Sequence, residues 1–412
     1  MPVKLNSSLF MQYCFKNTVR GQRPLPVLAA LFLIIYSTLF SAVAFGQIKS
    51  SNIIQMVYTS DAHYGITRKK FRGDTNVSGH TVNAAMIRQI NAMPGLTLPA
   101  DSGIGASKQV GAIDYVIETG DIANRMEIPV QTAAVSWGQF EQDYLHGVKL
   151  RGQSGLPAKL LLAPGNHDIS NAIGFPKPMS PLTDPTSMVK IYNLMLKPKT
   201  LLTNETYNYD KDKVNYSFNL KGIHMMFITL WPDSAERIWM QKDLDTVKQS
   251  TPVIIFTHDQ PTCEAKHFTD PLQQDKLIFK NNFENLVVER YKERYKATKD
   301  DGVTDIEQRG FVKFLKSHPN IKAYFHGNSN WNEFYTYKGP DNDVNLKVFR
   351  VDSPMKGKFS SVDEKKLSFQ LITLDTENKL LTVRECLWNT VPSNTNAKTI
   401  IGKNITVSLN AN

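Results

Sequence analysis

Five short clusters of polar residues each follow a β-type apolar run, and their side chains are of the kinds that bind metal ions. In chain order the clusters are Asp61-Ala62-His63, Gly120-Asp121, Gly165-Asn166-His167-Asp168, His258-Asp259 and His326-Gly327-Asn328. Asp61 and His63 are two residues apart, so at an extended strand end both side chains point to the same side and can hold one cation. The two oxygens of Asp121 can bridge that cation to a second one, to which Asn166 offers an oxygen and His258 a ring nitrogen. Such ligands at successive strand ends predict a site for two metal ions.

These clusters need strands and helices that bring them together. Apolar β-type runs cover residues 53–60, 112–118, 159–163, 253–257 and 321–325, and helical patterns cover residues 82–93, 131–144, 235–248 and 282–296. Strands that alternate with helices predict an α/β layered domain. In open α/β sheets ligands bind beyond the carboxyl ends of the strands, which is where the five clusters fall.

Further strands are expected to close a second sheet, and two stretches have the length of inserted loops or lids. The strands are at 346–352, 367–374 and 380–387, and the insertions at 67–111 and 171–215.

Composition excludes several classes of protein. The chain has 412 residues, of which 41% are hydrophobic and 21% charged, values typical of globular domains rather than disordered or multi-span membrane proteins. Three cysteines are too few for a disulfide scaffold or a cysteine-rich zinc module. The net charge is +10 without any block of five or more like charges, so the sequence has no nucleic-acid footprint. The charge is compatible with a small anionic substrate, but a solvated basic surface explains it as well and is the simpler interpretation.

The N-terminus has the pattern of a signal peptide. Basic but no acidic residues lie in positions 1–24, an apolar run covers residues 25–45, and small residues at Ala42, Ala44 and Gly46 allow cleavage near the end of this run. We therefore predict a secreted or periplasmic protein, without a stable membrane partner once the signal peptide is cleaved. An uncleaved anchor is the alternative, because the run is just long enough to span a bilayer.

The chain is accordingly divided into three predicted segments. They are a signal peptide at 1–46, a main domain at 47–390 and a C-terminal tail at 391–412. In an oxidising compartment two cysteines of the mature chain, Cys263 and Cys386, could pair.

The order of the motifs is similar to that of a known family. Four of them resemble the successive signatures of the calcineurin-like metallophosphoesterase superfamily, and the resemblance covers about residues 52–335. They are Asp61-Ala62-His63, Gly120-Asp121-Ile122-Ala123-Asn124-Arg125, Gly165-Asn166-His167-Asp168 and Thr257-His258. The resemblance implies an α/β fold, a four-layer αββα sandwich with inserted loops. It also implies a dinuclear metal centre that hydrolyses phosphate esters with metal-activated water.

The resemblance assigns a metal-binding role to five of these residues. Asp61 and His63 would hold the first metal ion, and Asp121 would bridge it to the second. Asn166 and His258 would complete the shell of the second ion. All five are therefore expected at one site.

Four further residues are expected around the substrate. His167 would face the phosphoryl group and protonate the leaving oxygen as a general acid, with Asp168 holding it. Asn124 and Arg125 would orient or bind the phosphate, and for Arg125 an ion pair behind the site is the alternative.

One motif departs from the family pattern. Where relatives have Gly-His-x-His, with each histidine serving one metal ion, this chain has Gly327-Asn328-Ser329-Asn330. His326 is a poor substitute, because a shift by one residue on a strand turns the side chain to the other face. Asn328 and Asn330 could bind metal through their side-chain oxygens, which would weaken zinc binding and favour Mn²⁺, Mg²⁺ or Ca²⁺. The expected cofactors are two divalent ions, with manganese, iron, zinc, magnesium and calcium all left open.

Two functions follow from these observations. The first is an exported hydrolase of phosphomonoesters or phosphodiesters that uses a dinuclear metal centre. The second is a metal-poor or catalytically impaired binding protein that has the same fold but lacks two of the usual ligands. The presence of the proton donor His167 among the expected ligands favours the enzyme. The motifs do not specify the substrate, because sites of one fold serve many substrates.

Overall fold

The computed structural model describes residues 52–123, 131–170, 185–208, 211–262 and 306–410. Several predictions fall outside these ranges, namely the signal peptide, Asn124, Arg125, Cys263 and the helix at 282–296. Within the described ranges no helix has both the length and the apolar character needed to cross a membrane.

The described part of the chain alternates strands and helices. The strands are β1 (Ile53–Thr59), β2 (Thr67–Phe71), β3 (Asp74–Ser78), β4 (Tyr115–Glu118), β5 (Lys159–Leu162), β6 (Tyr216–Leu220), β7 (Ile223–Phe227), β8 (Val253–Phe256), β9 (Ile321–His326), β10 (Glu333–Tyr337), β11 (Leu346–Arg350), β12 (Ser368–Asp375), β13 (Leu380–Leu387) and β14 (Ile400–Ser408). The α-helices are α1 (Gly79–Ala92), α2 (Ala133–Phe140), α3 (Asn166–Ser170), α4 (Thr186–Leu196), α5 (Ser234–Leu244) and α6 (Ile306–Ser317).

These strands form two mixed six-stranded sheets and a separate β2-β3 hairpin. The first sheet has the order β14-β13-β12-β1-β4-β5, in which β1, β4 and β5 are parallel and the other pairs are antiparallel. The second has the order β10-β11-β9-β8-β7-β6, in which β7, β8, β9 and β11 are parallel. Each sheet therefore has a block of parallel strands whose carboxyl ends share one edge.

The two sheets pack face to face through large aromatic side chains. Along β1, Met56 and Tyr58 point into a core that includes Phe256 of β8 and Phe325 of β9. The Tyr58 ring lies edge-on to both, with centroids 6.0 Å from Phe256 and 5.3 Å from Phe325. Val57, between the two inward residues, points the other way, into a second core that includes the buried side of α1. The strand is thus covered on both faces, which explains its nearly continuous apolar sequence.

Helices cover the outer faces of the sandwich. Phe311 of α6 packs on Tyr324 of β9, with ring centroids 6.0 Å apart, and also contacts Trp231. On the first sheet the hydroxyl of Tyr144, just after α2, donates to Thr59 of β1 at 3.2 Å. The predicted α/β fold with αββα layers is confirmed by these two sheets and their flanking helices.

The segment predicted as a C-terminal tail contains the strand β14. This strand pairs with β13 from Leu387↔Ile400 to Leu380↔Ser408, and Ser50–Asn412 form one compact unit. The first sheet therefore continues past residue 390. The sequence signal is weak because β14 is an edge strand with most of its residues exposed or half-buried, so its apolar residues do not alternate clearly.

Candidate metal centre

The predicted ligands lie at the carboxyl ends of parallel strands in both sheets. Asp61, Asp121 and Asn166 follow β1, β4 and β5 of the first sheet, and His258 and Asn328 follow β8 and β9 of the second. Hydrogen bonds join the two edges. The Nδ1 atom of His258 is 2.7 Å from the carbonyl oxygen of residue 119, and the backbone N–H of Asn328 donates to Asp61 Oδ2 at 3.0 Å. The structure thus brings the ligands of both sheets into one site.

Tight turns place the first ligands beyond their strands. Asp61, His63 and Asp121 have φ angles of 57°, 44° and 55°, in the left-handed region that non-glycine residues seldom adopt. Gly120 has a φ of 97°, and a Cβ atom there would lie 2.6 Å from the Gly165 Cα, too close for any side chain. Such backbone conformations are held only where the surroundings enforce them, and they are common at functional sites.

The carboxylate of Asp121 lies at the centre of the site. Its Oδ2 atom is 3.6 Å from His63 Nε2 and 3.7 Å from His167 Nε2, and its Oδ1 atom is 3.4 Å from His258 Nε2. Asp121 Oδ1 also accepts the backbone N–H of His167 at 2.8 Å. Burial tends to raise the pKa of Asp121, but the three imidazoles outweigh burial and hold it well below its usual range. Asp121 is therefore an anion that faces three histidines.

The ligand atoms fall into two groups that share Asp121. One group is His63, Asp121 and His167, and the other is Asp61, Asp121 and His258. Asp61 Oδ1 is also 3.6 Å from His63 Nε2, so the two residues predicted to hold the first ion lie next to each other. The resemblance implies that the Asp121 carboxylate bridges two metal ions, and a carboxylate that belongs to both groups is consistent with that role. The approach of His167 to the first group was not predicted, because its role was assigned to the substrate alone.

Buried polar atoms without hydrogen bonds show that this site fits a cation. In the described part of the chain, Asp61 Oδ1 and both ring nitrogens of His63 are buried and lack a hydrogen-bond partner. Burial lowers the pKa of His63, and Lys356 lowers it further, so the ring is the neutral form that binds metal ions. Buried polar groups almost always have partners, and a metal ion would provide one here.

His258 gives a second, independent indication of a missing positive charge. Its Nδ1 atom donates to the backbone oxygen of Thr119, since a carbonyl can only accept. In the neutral ring the Nε2 atom then carries a lone pair, which faces the predicted ligands. That atom lies 3.0 Å from Asn166 Oδ1 and 3.4 Å from Asp121 Oδ1, both of which are acceptors. Burial opposes protonation, yet the Asp121 carboxylate raises the pKa of His258 to about 10. A divalent ion among these three atoms would supply the charge that this site favours.

Asp168 has a different role from the predicted one. Its Oδ2 atom accepts the backbone N–H groups of Gly165 and Ile122 at 3.0 and 3.3 Å, and its Oδ1 atom accepts that of Ala123 at 3.1 Å. The carboxylate therefore pins the loops that carry Asp121 and the third motif, and these bonds do not hold the His167 ring. The sequence could not show this, because adjacent residues on the first turn of a helix point in different directions.

The altered last motif has one buried amide oxygen without a hydrogen-bond partner, that of Asn330. The Asn328 side chain donates through Nδ2 to Asp259 Oδ1 at 2.7 Å, and its backbone N–H holds Asp61. Asn330 Oδ1 is buried without a hydrogen-bond partner, while its Nδ2 donates to the backbone oxygen of Asn328. Asn330 thus offers a buried oxygen without a hydrogen-bond partner, whereas Asn328 supports Asp61 through its backbone N–H and is tied to Asp259 through its side chain.

The two ring nitrogens of His326 contact groups other than the predicted metal ligands. Its Nδ1 donates to the Gly327 carbonyl at 2.9 Å and its Nε2 accepts from the Tyr335 hydroxyl at 3.0 Å. Burial and the nearby Arg350 lower its pKa to about 3. Both ring nitrogens are therefore already used in hydrogen bonds.

Sequence reasoning missed Lys356, which approaches the site from a loop far along the chain. Its Nζ atom is 3.4 Å from His167 Nε2. Lys356 lies beyond residue 335, where the resemblance to the family ends, and no motif surrounds it. The predicted residues Asn124 and Arg125 lie outside the described residues.

Comparisons with known proteins found similar solved structures. A dimetal phosphatase from Danio rerio is 9% identical, covers 84% of this chain and 98% of its own, and has a TM-score of 0.46. A protein from Streptococcus pneumoniae, described as a predicted phosphoesterase, is 8% identical, with coverages of 86% and 98% and a TM-score of 0.29. Vps29 from Entamoeba histolytica is 8% identical, with coverages of 86% and 100% and a TM-score of 0.30. No family model and no curated protein matches the chain.

Because these TM-scores are below 0.5, the fold assignment rests on the sheets and side chains described above. Two mixed sheets pack face to face between helices, and the motifs follow the parallel strands at one edge. The chain therefore has a four-layer αββα sandwich, as the resemblance of its motifs to the calcineurin-like metallophosphoesterases implies.

Proposed function

We propose that this chain is an exported, metal-dependent hydrolase of phosphate esters with two divalent ions in its site. The observation that carries the proposal is the shared Asp121 carboxylate, which lies within 3.7 Å of three imidazole nitrogens. Asp61 and His63 would hold one ion with Asp121, and Asn166 and His258 would hold the other. When bound, such a pair of ions polarises the phosphoryl group, activates water and stabilises the charge of the transition state.

The protein buries the ligand side chains and holds their loops in place. Asp61, His63, Asp121 and His258 are each at most 2% exposed, so the ligand side chains are almost fully shielded from solvent. The left-handed turns and the three backbone N–H groups on Asp168 fix the ligand loops before substrate binds. Preorganised groups of this kind need little rearrangement during the reaction, which is the main source of electrostatic catalysis.

His167 is the group best placed to move a proton. It is 8% exposed, more than the buried ligands around it, and its backbone N–H is anchored on Asp121. Its Nε2 atom faces the same space as Asp121 Oδ2 and Lys356 Nζ. A proton donated from Nε2 would neutralise the leaving alkoxide, a contribution of roughly 10²- to 10⁴-fold in general acid catalysis.

The donor set favours hard metal ions. At the altered last motif the buried oxygen without a hydrogen-bond partner is that of the Asn330 amide, and the two histidines of the family pattern are missing there. Carboxylate and amide oxygens suit Mn²⁺ and Mg²⁺ better than Zn²⁺, which prefers imidazole and thiolate. We therefore expect Mn²⁺ or Mg²⁺ to support turnover better than zinc does.

A metal-dependent ester assay tests the proposal. The chain, without residues 1–46, is treated with a chelator and reloaded in turn with Mn²⁺, Fe²⁺, Zn²⁺, Mg²⁺ or Ca²⁺. Hydrolysis of 4-nitrophenyl phosphate and bis(4-nitrophenyl) phosphate is then measured. We expect no turnover by the chelated protein and recovery with at least one ion. Tight metal binding without hydrolysis of either ester would favour the binding-protein alternative instead.

Export of the protein is tested by locating the start of the mature chain. The basic start, the apolar run at 25–45 and the small residues after it support a cleaved signal peptide. The mass of the protein recovered from the medium or the periplasm should correspond to a start near residues 45–48. Recovery of intact residues 1–44 on membranes would replace the signal peptide with an anchor.

A further inference from the structure

An exposed lysine lies beside the expected proton donor. Lys356 is exposed along its side chain, but its Nζ atom reaches to 3.4 Å from His167 Nε2. It also interacts electrostatically with His63, so its charge lies near the first ligand group. A fixed positive charge is thus present next to the place where a phosphoryl group would bind.

Hydrogen bonds to the ligand loop hold the backbone that carries this lysine. The Ser353 hydroxyl donates to the backbone oxygen of Asp61 at 2.9 Å and accepts the backbone N–H of Lys356 at 2.9 Å. From the other side, the buried guanidinium of Arg68 donates to the carbonyl of Pro354 at 2.8 Å. The loop is therefore tied directly to a predicted metal ligand, unlike the loop of an ordinary surface lysine.

We propose that Lys356 is a catalytic residue whose ammonium group binds a phosphoryl oxygen of the substrate and makes the site favour phosphomonoesters over phosphodiesters. This inference rests on the proposed phosphoesterase function. A phosphomonoester carries close to two negative charges at neutral pH, since its second pKa is about 6, whereas a diester carries one. The ammonium of lysine is a compact, strongly hydrated point charge, so its attraction grows with the charge of its partner.

Two substitutions at Lys356 and one control test the proposal. Lys356→Met removes the charge and keeps the length of the side chain, and Lys356→Arg restores a charge. Lys358→Met is the matched control, because Lys358 lies in the same loop and its Nζ atom is 4.3 Å above the Trp331 ring. Each protein is loaded with Mn²⁺, and its metal content, its affinity for inorganic phosphate and its kcat/KM for the two nitrophenyl esters are measured.

We expect Lys356→Met to keep its metal and to bind inorganic phosphate roughly 10- to 100-fold more weakly, as for loss of a charge-assisted hydrogen bond. Its kcat/KM should fall by a similar factor for 4-nitrophenyl phosphate and several-fold less for the diester. Lys356→Arg should recover part of both losses, and Lys358→Met should resemble the parent.

Other outcomes would overturn the inference. If Lys356→Met binds phosphate as the parent does and keeps its ratio of monoester to diester activity, Lys356 is only a surface residue that contacts His167. If both esters lose activity equally and phosphate affinity is unchanged, Lys356 positions His167 and does not touch substrate. A parent that hydrolyses neither ester would contradict the proposed function, while phosphate binding would still show whether Lys356 contacts the anion.

Discussion

Replacement of Asp121 by asparagine should separate the two ions of the proposed centre. The Asp121 Oδ1 position accepts the His167 N–H at 2.8 Å, so the single oxygen of an asparagine must stay there. Its NH₂ group then takes the Oδ2 position, 3.6 Å from His63 Nε2 and 3.7 Å from His167 Nε2. An NH₂ group is a donor and cannot bind metal. The ion beside His63 therefore loses its shared ligand, while the ion beside His258 keeps a neutral oxygen.

The size of the effect follows from this geometry. Loss of a group that merely supports a metal ligand costs about 10- to 100-fold in metal affinity or activity. Asp121 would contact both ions directly, so Asp121→Asn should weaken binding of the ion beside His63 by more than about 100-fold. Bound metal should fall from two ions per chain to one or fewer, and turnover should fall by at least the same factor as affinity.

The assay compares metal content and turnover in Asp121→Asn and in a matched control. Asp243→Asn is suitable, because Asp243 also faces a histidine, with its Oδ2 2.7 Å from His224 Nε2, at the amino end of β7 and away from the site. Titration with Mn²⁺ after chelation gives the stoichiometry, and thermal unfolding checks that both variants fold. Two tightly bound ions in Asp121→Asn, with parental turnover, would refute the bridging role.

Three further predictions concern separate features of the chain. His167→Asn should slow hydrolysis of alkyl phosphates roughly 10²- to 10⁴-fold but that of 4-nitrophenyl phosphate much less, since only a poor leaving group needs a proton. Its metal content should be unchanged, and equal losses for both kinds of ester would indicate that His167 binds phosphate. In a chelator competition Asn330→His should tighten Zn²⁺ binding more than Asn328→His, because only the Asn330 oxygen is buried without a partner; equal gains would contradict this placement. Asp101→Asn should lower the free energy of unfolding by about 3–5 kcal/mol, because it leaves the buried Arg384 guanidinium unpaired. The pKa of Asp101 is lowered mainly by Arg384, so the part of this stabilisation that depends on the Asp101 charge should be fully present above about pH 4 and be lost as the pH falls through the depressed pKa, which denaturant unfolding from pH 2 to 7 would show.

Much of the fold and the donor types of the site could be predicted from the sequence alone. Alternating apolar runs and helical patterns predicted β1, β4, β5, β8 and β9 to within a few residues at each end. Because parallel strands of one sheet have their carboxyl ends at one edge, polar residues after those strands were expected to meet. The residue type at each strand end also gives the type of donor atom, and a carboxylate, an amide and an imidazole differ in the ions they bind. These properties depend on local pattern and residue type.

Only the tertiary structure decided which way individual side chains face. Asp168 binds backbone N–H groups instead of the His167 ring, and His167 approaches the ligand group of His63. Asn328 and Asn330 also differ, since one amide is tied to Asp259 and the other keeps a free oxygen. Each outcome depends on left-handed turns and on contacts between the two sheets, neither of which is encoded in the spacing of a motif.

The tertiary structure likewise decided what joins the site from distant parts of the chain. Lys356 reaches His167 because a loop after β11 is tied by Ser353 to the backbone of Asp61. The edge strand β14 joins the first sheet with only one face partly covered, so its sequence lacks a clear alternation. Sequence patterns report on a residue and its neighbours along the chain, whereas the contacts of Ser353 and Lys356 join residues more than a hundred positions apart and arise only in the folded chain.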